Sequence, residues 1–286
     1  MAVRTRYVRH HGVRIAYGVR RPRWRRLPWV TLVQGLGFDR SGWAPVVDGL
    51  AEHFALLLVD NQGSGDSDPP AGRLAVADMA RDVLAVLDHA RVARTHVVGI
   101  SLGGMIAQDV AIGYGDRVVS LVLAGTTPGW PVAYPMPAHT VALLTATRRM
   151  PAAVALRRHV ENALGPETVR HRPEVVDRLV AAQGARPGAA GWLAQLAAGA
   201  RFGHLRQGAI TAPTLVLHGA ADRVVDPRNA RLLANRIPGA RLTVLPGLGH
   251  LFFWEDPATF VEVVTRFALS PAGAAASDPP LRKDTS

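Results

Sequence analysis

His96-Val97-Val98-Gly99-Ile100-Ser101-Leu102-Gly103-Gly104 decides the architecture of this chain. A β-branched run ends abruptly in Gly-x-Ser-x-Gly, and helical spacing follows through Met105, Ile106, Ala107 and Val110. A strand that turns at once into a helix throws the turn residue outward, which places Ser101 exposed on a sharp elbow. Gly99 and Gly103 flank it because a side chain at either position would collide with neighbouring backbone. The Leu102 amide then falls at a helix N-terminus, where unpaired N–H groups and the helix dipole favour negative charge. With eight Ser and 28 Gly in 286 residues, about 0.08 copies of this pentapeptide are expected by chance. Its surroundings therefore have to carry the assignment.

Working outward, the chain alternates strand and helix patterns on both sides of the elbow. Residues 7–10 and 13–19 read as a hairpin about His11-Gly12, and 29–33 and 54–59 as short, wholly apolar strands. The first of these buried strands ends in the glycine turn Gln34-Gly35-Leu36-Gly37-Phe38, followed by a helical stretch at 41–50. The second ends in Asp60-Asn61-Gln62-Gly63-Ser64-Gly65-Asp66-Ser67, ahead of an amphipathic helix at 76–90. After a further strand at 118–124 the pattern changes. Residues 128–205 hold prolines (Pro128, Pro131, Pro135, Pro137) and short helical segments at 139–147, 151–164, 173–182 and 189–202, with no strand signal. Alternation then resumes with strands at 214–217 and 241–245 and helices at 228–236 and 257–267.

This order predicts an α/β fold, a mostly parallel sheet with helices on both faces and an antiparallel edge. It divides the chain into a first core part at 1–127, a helical cap at 128–205, a second core part at 206–269 and a disordered tail at 270–286.

Composition narrows the function. The absence of cysteine excludes disulfides, thiolate metal sites and a cysteine nucleophile. The formal charge is +11, and nine arginines crowd the first 26 residues (Arg4, Arg6, Arg9, Arg14, Arg20, Arg21, Arg23, Arg25 and Arg26). They alternate with strand residues and no nucleic-acid module follows, so solvated strand edges are favoured over a nucleic-acid partner. No apolar run reaches the roughly 20 residues of a membrane span. The basic N-terminus lacks the apolar stretch of a secretory signal, making the cytoplasm the expected location.

A serine hydroxyl needs a base to become a nucleophile, and the base needs a carboxylate to hold its tautomer. In parallel sheets such groups belong past the C-terminal ends of strands. Leu215-Val216-Leu217-His218-Gly219-Ala220-Ala221-Asp222 sets an acid past one strand, and Leu245-Pro246-Gly247-Leu248-Gly249-His250 sets a histidine past the next. Ser101, Asp222, His250 is the order expected for a serine elbow on this architecture. Of the eleven histidines only His250 lies beyond Asp222, while Asp226 competes for the acid role. The matching oxyanion hole takes two N–H donors, Leu102 and Leu36, each worth about 3 kcal/mol of transition-state stabilisation.

With these pieces in hand, the chain resembles the α/β-hydrolase superfamily over residues 13–267. The matching elements are Gly35-Leu36-Gly37, Asp60…Gly63-x-Gly65-x-Ser67, Gly99-Ile100-Ser101-Leu102-Gly103-Gly104, Gly219-x-x-Asp222 and Gly249-His250. The resemblance implies an eight-stranded sheet, a helical cap and hydrolysis through an acyl-enzyme, with no cofactor or metal. Gln34 stands where the family often has His, and Gln62 where it often has Arg. The elbow and the Gly-His-Leu-Phe-Phe ending look like bacterial esterases, 3-oxoadipate enol-lactonases and intracellular polyhydroxyalkanoate depolymerases. Ser101, in place of an elbow Asp, argues against dehalogenases and epoxide hydrolases; Leu36-Gly37, in place of Trp-Pro, argues against perhydrolases.

The expected activity is cleavage of a small-molecule carboxylic ester, with lactone or polyester cleavage, C–C bond hydrolysis and a non-catalytic ligand receptor as the alternatives. Phe38, Trp130, Met136, Trp192, Leu251 and Phe252 are the candidate pocket residues. Arg148, Arg149, Arg157 and Arg158 could serve an anionic substrate, but their helical spacing favours a solvated face.

Overall fold

Strands of nearly uninterrupted Val, Leu and Ile bury both faces, so helices have to cover the sheet on each side. The computed structural model describes residues 3–22, 26–182, 188–203 and 205–270. Arg23, Arg25 and the tail expected to be disordered beyond Ser270 lie outside the described residues.

The strands are β1 (Arg4–His10), β2 (Val13–Arg20), β3 (Trp29–Val33), β4 (Ala55–Val59), β5 (Thr95–Ile100), β6 (Val118–Ala124), β7 (Thr214–Gly219) and β8 (Arg241–Leu245). They form one eight-stranded sheet in the order β1-β2-β4-β3-β5-β6-β7-β8. The β1–β2 hairpin is antiparallel, β2 runs antiparallel to β4, and every other pairing is parallel. The helices are α1 (Ala44–Ala51), α2 (Val76–His89), α3 (Leu102–Gly113), α4 (Ala138–Ala146), α5 (Ala152–Ala163), α6 (Pro166–His171), α7 (Pro173–Ala182), α8 (Ala189–Ala200), α9 (Arg228–Arg236), α10 (Phe252–Glu255) and α11 (Pro257–Ala268).

The period-two alternation of strands sorts the core into two layers. Leu57, Val59, Val97, Leu121, Leu123 and Val216 face a cluster completed by α2, α3 and α9. Leu56, Leu58, Val98, Val122, Leu215 and Leu217 face the other side, against α1, α10 and α11. Helices α4 to α8 form the insertion between β6 and β7, and those two strands still pair directly, with Leu121 opposite Thr214 and Ala124 opposite Leu217. Two short helices were not evident in the sequence. Helix α6 starts with Pro166 at its first turn, and α10 is a four-residue turn directly after His250.

Two of the N-terminal arginines make ion pairs with nearby acids. Arg14 pairs with Asp68 at 3.2 Å, and Arg20 pairs with Asp48. Arg148, Arg149, Arg157 and Arg158 are exposed, and Arg157 is bound to Glu161 and Asp177.

Two buried ionisable groups brace the sheet and titrate in opposite senses. His96 packs edge-on against Phe54 and bonds the Ser120 hydroxyl at 2.8 Å. Burial, with help from Arg94, lowers its pKa from 6.5 to about 4. Between those values the unfolded chain takes up a proton that the folded chain refuses, so stability falls as pH drops through that window. Asp60 is fully buried against Arg40. Burial outweighs the arginine and raises its pKa from 3.8 to about 6, so over a similar window the folded chain is the better proton acceptor. His96→Gln should therefore gain melting temperature relative to wild type as pH falls from about 6.5 to about 4, with a constant difference above. Circular-dichroism melts across that range check this; parallel curves throughout would contradict it.

Candidate active site

The elbow is built by two close backbone approaches. Ser101 has φ 56° and ψ −119°, a conformation that costs a non-glycine residue about 1–3 kcal/mol and persists only where its surroundings hold it. A Cβ at Gly103 would lie 2.1 Å from the Val33 carbonyl oxygen, and one at Gly99 would lie 2.2 Å from the Gly103 oxygen. Strand β6 and the turn just after it hold the strained peptide. The Ser101 N–H donates to the Ala124 oxygen at 2.9 Å, and the Thr126 hydroxyl donates to the Ser101 oxygen at 2.7 Å.

At the end of β7, Asp222 is buried. Its Oδ1 accepts the Val224 and Val225 N–H groups at 2.7 and 2.9 Å. Its Oδ2 lies 2.7 Å from His250 Nδ1 and 3.0 Å from His218 Nε2. Burial alone would push the carboxyl pKa up. The charges and hydrogen bonds of His250 and His218 prevail and hold it well below the usual carboxylate range. An ionised carboxylate only accepts, so Nδ1 of His250 carries a hydrogen toward it, and in the neutral ring that tautomer leaves Nε2 as the acceptor. Asp226 has a different partner: it accepts the Arg228 N–H at 2.9 Å and pairs with the Arg228 guanidinium at 2.6 Å. The acid bonded to His250 is Asp222.

The sheet brings this pair beside the elbow. Gly125 follows Ala124, the residue that receives the Ser101 N–H, and a Cβ on it would meet His250 Nδ1 at 3.2 Å. From the other side the glycine turn after β3 covers the serine: a Cβ at Gly35 would lie 3.1 Å from Ser101 Cβ. Among the described residues, neither the Leu36 nor the Leu102 N–H is donated to a protein acceptor. Two free amides thus flank a half-buried serine.

The pocket candidates separate into distinct environments. Trp192 of α8 lies against Gly37, its Cδ1 2.9 Å from where a Cβ would stand, and Phe38 is half-buried beside Gly42. Leu251 is buried, its N–H bonded to the Ala163 oxygen of α5. Phe252 is a correction: it is fully buried among Phe253 and Phe260, with ring centroids 6.3 and 6.0 Å away, and belongs to the core. Trp130 is 75% exposed, and Met136 is also exposed. An apolar residue beside a catalytic loop is not distinguishable by type from one packed beneath it.

Three buried polar residues escaped the sequence analysis, although each interrupts an apolar stretch. His218 closes the strand Thr214–Gly219 and is wholly buried. Gln195 sits in the Ala-rich helix α8. Glu255 ends Phe-Phe-Trp-Glu and accepts from the Gly249 N–H at 2.7 Å, the Gly165 N–H at 2.9 Å and the Thr168 hydroxyl. It thereby ties the turn before His250 to the insertion. Gln34 accepts the Gly35 N–H at 3.1 Å, and Gln62 turns away to Asp82 at 2.6 Å. Among the described residues no cluster of His, Asp or Glu is arranged to hold a metal ion, and no helix is long and apolar enough to cross a membrane.

A glycine-braced serine elbow with a histidine–carboxylate pair beside it defines a class of enzyme, and comparison with known proteins assigns the family. The profile of the alpha/beta hydrolase fold matches residues 28–257. A 2-hydroxy-6-oxononadienedioate/2-hydroxy-6-oxononatrienedioate hydrolase of Cupriavidus pinatubonensis is 32% identical over 257 residues, covering 83% of this chain and 86% of that protein. A putative carbamate hydrolase of Variovorax paradoxus is 34% identical over 241 residues, covering 81% of this chain and 88% of that protein. The crystal structure of an enol-lactonase from Burkholderia xenovorans superposes with a TM-score of 0.82 at 25% identity, covering 93% of this chain and all of that one (100%). The chain belongs to the alpha/beta hydrolase fold family, and it is a hydrolase.

Glu255→Gln places an N–H₂ group where a carboxylate oxygen now accepts, leaving a buried donor facing a donor. It should destabilise the protein by about 1–3 kcal/mol. Urea denaturation measures this; an unchanged midpoint would show that the contact between Glu255 and the Gly249 turn carries no stability.

Proposed function

We propose that the protein cleaves carboxylic esters through an acyl-enzyme, with Ser101 as nucleophile, His250 as base and Asp222 as the acid that orients it. The observation that carries this reading is the 2.7 Å contact between His250 Nδ1 and Asp222 Oδ2. In the neutral imidazole it leaves Nε2 as the acceptor for the hydroxyl of Ser101, the residue held at positive φ. His250 takes the Ser101 proton as Oγ attacks the ester carbonyl carbon. The carbonyl oxygen becomes an oxyanion between the free amides of Leu36 and Leu102, where fixed dipoles are strongest in a water-poor site. His250 then protonates the departing alcohol. Water, activated by the same imidazole, attacks the acyl carbon and releases the acid.

Trp192, Phe38 and Leu251 support an apolar, small to medium acyl group. The helices between β6 and β7 act as a cap over it. A second reading, ring-opening of a lactone by the same residues, is favoured by the near full-length similarity to a structure described as an enol-lactonase.

The test is hydrolysis of p-nitrophenyl esters of increasing chain length, alongside simple lactones. Ser101→Ala should lose on the order of 10⁴-fold or more in kcat. Asp222→Asn should lose on the order of 10⁴-fold, because the amide no longer selects the productive His250 tautomer. A Ser101→Ala variant as active as wild type would rule out the nucleophile. A wild-type protein that hydrolyses lactones far faster than open esters would move the assignment to lactonase.

A further inference from the structure

Gln195 is wholly buried at the contact between the insertion and the sheet, and its side-chain amide is fully used. Its Oε1 accepts the Gly37 N–H at 3.1 Å. Its Nε2 donates to the Gln62 carbonyl oxygen at 2.7 Å and to the Ser64 hydroxyl at 2.9 Å. The orientation follows from chemistry: a carbonyl can only accept and an N–H can only donate, so a flipped amide would face a like group on both sides. One side chain of the insertion therefore grips the turn after β3 and the turn after β4 together.

Its helical neighbours sit on the same two turns. Trp192, three residues earlier, packs on Gly37, and Gly191, four earlier, comes so close to Gly63 that a Cβ on Gly63 would lie 2.7 Å from the Gly191 Cα. Four residues later, a Cβ at Gly199 would meet Leu102 Cδ1 at 3.4 Å. One face of α8 thus touches both segments that carry the free amides.

We propose that Gln195 is a positioning residue for the oxyanion hole. By holding the Gly37 N–H, it fixes the peptide plane next to the Leu36 amide, so that the donor is aimed only while α8 is seated. Lifting α8 to admit substrate breaks all three hydrogen bonds and frees the turn. Seating it again rebuilds the donor over the bound ester. Closure of the insertion and assembly of the oxyanion hole are then one event, and Gln195 acts through Leu36 without touching substrate. This inference rests on the assignment of Leu36 and Leu102 as the oxyanion donors.

The experiment compares wild type with Gln195→Met, which keeps length and removes every hydrogen bond, and with Ser64→Ala, which removes one anchor and leaves the acceptor for Gly37. Each is assayed with a p-nitrophenyl ester. Each is also titrated with a trifluoromethyl ketone, which becomes a tetrahedral adduct on Ser101, and with the matched secondary alcohol, which forms no oxyanion. Gln195→Met should lower kcat about 10- to 100-fold, less than the roughly 100- to 1000-fold cost of deleting a donor. KM and alcohol binding should change less than about threefold, while trifluoromethyl ketone binding weakens in step with kcat/KM. Ser64→Ala should show the same pattern with a smaller loss, and it provides the test on its own if Gln195→Met does not fold.

Unchanged kcat and ketone affinity in a folded variant would overturn the proposal. So would an equal loss of alcohol and ketone affinity, which marks a residue that only shapes the pocket. A wild-type protein that neither hydrolyses the ester nor captures the ketone would instead overturn the ester-hydrolase reading.

Discussion

Everything around the elbow depends on how closely helix α3 can approach strand β3. The Gly103 backbone sits where a single methyl group would press into the Val33 carbonyl oxygen. That approach lets β5 turn into α3 without an intervening loop, which forces Ser101 to positive φ. The strain is local, while its restraint is distributed over the β6 hydrogen bonds to Ser101 and the turn after β3 above it. A serine on a relaxed loop would carry the same chemistry with far less constraint on where its hydroxyl points. Here the sheet bears the cost of a conformation that a hydroxyl-bearing residue would not adopt unaided.

Asp222 shows a second form of preorganisation. The site takes a carboxylate out of water and then surrounds it with two backbone donors and two imidazoles. Burying a charge is unfavourable unless such partners are present. Here they hold the group ionised, as the role proposed for it beside His250 requires. His218 gives the carboxylate a second imidazole and also lies 3.2 Å from the Val225 oxygen, so the turn carrying the acid is fastened to its own strand.

Much of this was legible in the sequence because it rests on local rules. Wholly apolar strands, the glycines of the elbow, and an acid and a histidine past consecutive strand ends are all patterns of short range. The eight-stranded sheet and its helices follow from them. The residues that escaped notice act over long range. Gln195 bonds groups more than a hundred positions away in the chain, and Glu255 reaches Gly165 and Thr168 across the insertion. Nothing in Ala-Gln-Leu or Phe-Trp-Glu announces its partner. A lone polar residue inside an apolar stretch was the available signal, and it marks burial without saying against what. The pocket was less legible for the complementary reason: Phe252 and Trp192 are both aromatic, and only packing sends one to the core and the other to the turn after β3.

The insertion between β6 and β7 also separates the site along the chain. Ser101 and both free amides lie before it, and Asp222 and His250 lie after it, in the turns that follow the last two strands. During synthesis Ser101 therefore emerges long before Asp222 and His250. On the proposed function, the nucleophile has no base in any chain that stops short of His250. On that reading the turn after the final strand, rather than the elbow, completes the site.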